Sequence, residues 1–132
     1  MKPIFAAVFL GGFVVSAVFW ALIWPLGAEA GEAKVVNATA TANGGGSYTF
    51  SATIAHADTG WKHYADKFEV LAPDGRVLGT RVLYHPHVNE QPFTRSLGGV
   101  QVPAGLTEVI VRASDNVHKA GKATFTVKLP GR

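Results

Sequence analysis

No cysteine occurs among the 132 residues. Disulfides therefore cannot brace the fold, and thiolate nucleophiles, iron–sulfur clusters and cysteine-containing zinc or blue-copper sites are excluded. The chain also lacks a basic run or any repeated basic–aromatic interleaving. Twelve Lys and Arg against nine Asp and Glu leave a net charge of +3 spread along the sequence, so nucleic acid is not an expected partner. No window carries sustained helical periodicity. Nor is there a nucleophile elbow, or a Gly-rich phosphate loop that follows a strand and opens a helix. The sequence therefore supplies no recognisable catalytic framework, and the expectation is a binding module, not an enzyme.

Charge is absent from Ile4 to Trp24, after the short positive start Met1-Lys2. Pro25 breaks this apolar run, and Ala28-Glu29-Ala30 places small residues three and one before a cut ahead of Gly31. That layout predicts a secretory signal peptide over residues 1–30, with the alternative of an anchor retained through residues 4–24. In either case residues 31–132 are expected outside the cytoplasm, periplasmic or otherwise secreted, with a membrane as partner only if the leader is retained. About 100 residues remain, enough for one domain with one core.

Within 31–132, alternation of apolar and polar residues dominates, interrupted by frequent turn signals. Strands are predicted over Lys34 to Ala42, Tyr48 to Ile54, Tyr64 to Leu71, Arg76 to Tyr84, Phe93 to Leu97, Val109 to Ala113 and Phe125 to Leu129. The predicted core is Tyr48, Phe50, Ile54, Phe68, Val70, Val109, Val111, Phe125, Val127 and Leu129. Seven short strands in this length predict a single all-β, antiparallel sandwich of immunoglobulin or fibronectin-III type.

If the strands run up and down, parity assigns each connection to an end. Asn43-Gly44-Gly45-Gly46, Pro73-Asp74-Gly75 and the turn from Gly98 to Gly105 fall at the bottom, and none contains histidine. His56 and His63, then His85 and His87, then His118 all fall in loops at the top. Histidine is the commonest metal ligand and titrates near neutrality, so five on one rim form a candidate site. In His85-Pro86-His87 the proline favours extended geometry, which points both rings the same way. These two, with His56, His63 or His118, are expected to bind copper or zinc through nitrogen ligands. Asp58, Asp66, Glu90 and Asp115 are available as ligands or as acceptors for the distal ring N–H groups. The competing expectation is a small metalloenzyme with an open coordination position.

Trp61 either packs beneath this rim or serves with Asn89 and Phe93 in contacting a protein partner, while Phe93, after Pro92, is otherwise expected to start the fifth strand as a core residue. Three stretches carry a family resemblance: His56-Ala57-Asp58-Thr59-Gly60, Asn89-Glu90-Gln91-Pro92-Phe93, and Asp115-Asn116 followed by Ala123-Thr124-Phe125. Together they resemble the small immunoglobulin-like subunit of the bacterial sulfur-oxidation carrier complex, the SoxZ-like family. That resemblance implies a non-enzymatic subunit that pairs with a cysteine-tailed partner. His85-Pro86-His87 lies outside the family pattern.

Overall fold

A computed structural model describes residues 31–132; the leader expected over 1–30 lies outside the described residues. Among those described, every regular element is a strand: β1 (Lys34–Gly44), β2 (Ser47–Ala55), β3 (Ala65–Leu71), β4 (Val77–Val82), β5 (Phe93–Gln101), β6 (Glu108–Asp115), β7 (Lys119–Ala120) and β8 (Phe125–Lys128). They form two antiparallel sheets. One is ordered β1-β2-β5, the other β4-β3-β6-β7, with β8 also pairing to β6. The two sheets stack as a β-sandwich.

Period-two alternation creates the core. Tyr48, Phe50, Ala52 and Ile54 of β2 face inward, as do Val109, Val111 and Ala113 of β6. Phe68 and Val70 of β3, and Val127 and Leu129 at the C-terminal end, complete it, with Phe125 packed at its margin. Removal of these faces from water, at about 25 cal/mol per Å² of apolar surface, is the main stabilising term in a chain without disulfides. Val35 N–H donates to the Ala123 carbonyl at 2.9 Å and joins the start of β1 to the segment leading into β8.

Two elements depart from expectation. β5 does not stop at Leu97 to leave a turn from Gly98; it runs on to Gln101. Phe50 pairs with Leu97 and Tyr48 with Val100, so β5 carries one extra residue there. Gly99 absorbs it at φ 66°, a left-handed conformation that suits glycine at a bulge. The expected seven strands are also joined by β7, two residues that pair back onto the end of β6.

Register verifies the end assignment. Ile54 pairs with Phe93, Ala65 with Asp115, and Lys67 with Val82. The connections 56–64, 83–92 and 116–118 therefore leave the sandwich at one end.

Candidate metal centre

The inward faces of β2 and β6 extend one step beyond the hydrocarbon core. After Ala52 and Ile54, the next inward position is His56; after Val111 and Ala113, it is Asp115. Both side chains are fully buried, at 0% exposure. A polar layer thus caps the apolar core at the histidine-bearing end.

Hydrogen bonds fix each member. Asp58 Oδ1 lies 2.5 Å from His56 Nδ1 and also accepts the Ala65 N–H at 3.0 Å. Asp58 Oδ2 accepts the His87 N–H at 2.7 Å, so one carboxylate ties together the first two top loops. Asp115 Oδ1 accepts the backbone N–H groups of Val117 and His118 at 2.8 and 2.6 Å, wrapping the third loop around its own carboxylate. Asn116 then joins the loops: its Nδ2 donates to the Trp61 carbonyl, and its Oδ1 accepts the Tyr64 N–H. His63 is presented by a tight turn in which its N–H donates to the Gly60 carbonyl at 3.2 Å.

His56 Nε2 lies 3.3 Å from His63 Nε2 and 3.6 Å from Asp115 Oδ2, while His63 Nε2 lies 3.4 Å from Asp115 Oδ1. A zinc–nitrogen bond of about 2.0–2.1 Å places tetrahedral ligand atoms about 3.3–3.4 Å apart, which matches this spacing. The tautomer matters as much as the distances. In the tautomer whose Nδ1–H donates to Asp58, His56 presents an Nε2 lone pair toward another imidazole nitrogen and a carboxylate. Either an Nε2–H of His63 or a cation placed among them would satisfy these groups. Burial alone would raise the Asp115 pKa, but the N–H groups of His118 and Val117 and the nearby His118 and His56 rings bring it below the usual carboxylate value. Asp115 is thus an anion at neutral pH. His56, His63 and Asp115 form a group able to hold a metal ion.

His118 stands beside this group, with Nδ1 3.2 Å from Asp115 Oδ2 and its ring centroid 5.0 Å from that of His63. The rings of His85 and His87 lie 4.6 Å apart, as the x-Pro-x geometry predicts, but outside the group. His87 stacks on Phe93 at 4.0 Å, and its Nε2 accepts from Arg95 at 3.0 Å. Its Nδ1 has no hydrogen-bond partner and lies 4.0 Å from Asp58 Oδ2. Desolvation first, then the Arg95 guanidinium and His85, lower the His87 pKa. A guanidinium hydrogen-bonded to His87 Nε2 opposes a second cation at that nitrogen. His85 is exposed.

Trp61 does not pack into the core. It is 66% exposed and meets Tyr64 edge-on at 5.6 Å. Asn89 is exposed as well, whereas Phe93 is buried as the first residue of β5 and cannot offer its ring to a partner.

A protein of Halomicrobium mukohataei named "Putative lipoprotein" is 42% identical to this chain over 96 residues, covering 73% of the chain and 47% of that protein. The chain thus spans about half the length of this relative. No family model and no solved structure matches it.

Proposed function

We propose that this protein is an exported, non-enzymatic metal-binding module that holds a divalent transition ion, zinc or copper(II), through His56, His63 and Asp115. The observation that carries the reading is the convergence of two imidazole nitrogens and an anionic carboxylate at tetrahedral-edge spacing, with the His56 tautomer set by a second buried carboxylate. Carboxylate–imidazole–metal arrangements of this kind orient the ring and raise its basicity. The buried carboxylates of Asp58 and Asp115 add negative charge that favours a dication at the site. The N- and O-only donor set suits zinc and copper(II). Export is supported by the leader-like composition of residues 1–30 and by the lipoprotein name of the relative. The sandwich itself is read as immunoglobulin-like.

Isothermal titration calorimetry of the purified protein with Zn(II) and Cu(II) tests the reading. One equivalent is expected to bind, with binding lost in His63→Ala and Asp115→Asn and kept in His85→Ala. Absence of stoichiometric binding in the parent, or its loss only in His85→Ala, overturns the assignment.

A second reading is a protein-partner subunit of the kind the SoxZ-like resemblance implies. It is favoured by the large exposed side chains Trp61, Tyr84, Val88 and Val117 on the three top loops. Capture of the same partner with and without a chelator would separate it from metal binding.

A further inference from the structure

Building on the metal reading, we infer that His118 is the exchange ligand of this centre. It closes the fourth coordination position and is the donor displaced when the ion is handed to an acceptor. Three protein donors leave one tetrahedral direction open. The side chains around the site form a gradient of exposure: 0% for His56 and Asp115, 13% for His63 and 37% for His118. An incoming donor therefore reaches the ion from the His118 side.

The ligands also differ in how firmly they are held. His56 is clamped by Asp58, and Asp115 is clamped by two backbone N–H groups of its own loop. His118 has its backbone fixed by Asp115 Oδ1 at 2.6 Å, but its ring is held by a single 3.2 Å contact with Asp115 Oδ2. That contact holds the ring beside the group formed by His56, His63 and Asp115. Rotamer changes of exposed side chains take picoseconds to nanoseconds, so ring motion does not limit exchange.

The transfer step is ligand substitution without redox change. The bond from the ion to the incoming donor forms while the bond to the His118 nitrogen breaks. Its lone pair returns to the imidazole, and a water molecule moves the ring proton between the two nitrogens so that Nδ1–H can again donate to Asp115. The metal keeps its charge throughout. Val117 and Trp61, both exposed, sit on the loops that bear His118 and His63.

Co(II) and Zn(II) are the probes. The full protein is loaded with Co(II) for its visible spectrum, and with Zn(II) for stopped-flow release to EDTA, in the parent and in His118→Ala. The variant is expected to bind one equivalent, to show an altered Co(II) visible band as water replaces imidazole, and to release Zn(II) at least about tenfold faster. Unchanged melting of the metal-free variant verifies that the fold is intact. An identical Co(II) spectrum and release rate in His118→Ala overturns the inference while leaving the three-donor centre standing. Failure of the parent to bind either ion overturns both.

Discussion

At the scale of single residues, His56 and His87 make opposite use of one carboxylate. Asp58 pairs with the Nδ1 of His56 and thereby aims its Nε2 into the centre, but it accepts only the backbone N–H of His87. The His87 ring is held neutral by burial and by Arg95. Its folded pKa lies below its unfolded value near 6.5, so the unfolded chain binds a proton first as pH falls. Stability tied to His87 is therefore present above about pH 6.5 and is lost as pH falls from there toward the lower folded pKa. Thermal melts of the metal-free protein at pH 7.5 and 5.0 should show a smaller acid-induced drop in His87→Gln than in the parent. An equal drop in both would contradict this account of His87. The five histidines and their shared end of the molecule were legible in the sequence. Which of them meet was not, because Phe93 and Arg95, brought in by β5, capture His87 through contacts that the loop sequence does not encode. Asp115 was legible only as one acidic residue among four. The sharper signal was its place one step beyond Val111 and Ala113 on the inward face of β6.

At the scale of elements, strand alternation and turn chemistry were sufficient to place the three top loops, since every hairpin reversal was marked by glycine, proline or asparagine. The bulge at Gly99 was hidden because Gly98-Gly99 reads as a turn until β2 is known to pair across it. β7 was hidden because a two-residue strand has no period. It matters nonetheless, for it returns the chain from His118 to the sheet and leads into Gly121, whose N–H donates to the Ala113 carbonyl at 2.9 Å. A Cβ at Gly121 would meet the Ala33 carbonyl oxygen at 2.0 Å and the Ala113 carbonyl oxygen at 3.3 Å. Both are backbone atoms, so relief requires moving the start of β1 or the end of β6. Gly121→Ala should cost about 1–3 kcal/mol. The corresponding fall in Tm is about 4–8 °C per kcal/mol for a domain of this size. Melting unchanged from the parent would contradict this packing of β1 against the 121–123 segment.

At the scale of the whole molecule, the two ends of the sandwich divide the work. At the bottom, Ala72 N–H donates to the Arg76 carbonyl across the β3–β4 turn, and Val102 N–H, just past β5, donates to the Gly46 carbonyl of the β1–β2 turn. The top carries the polar layer above the apolar core. That layer is where two buried carboxylates and three imidazoles are gathered without cysteine. A core residue in such a position is usually hydrocarbon, so the burial of His56, Asp58 and Asp115 carries a desolvation cost that an ion would offset. X-ray absorption at the zinc edge of the protein loaded with one equivalent of Zn(II) and passed through gel filtration addresses this most directly. The account predicts that the ion is retained with about four nitrogen and oxygen donors at about 2.0–2.1 Å, and that the spectrum carries imidazole multiple scattering. An ion lost on the column, or one surrounded only by roughly six oxygens, would contradict it.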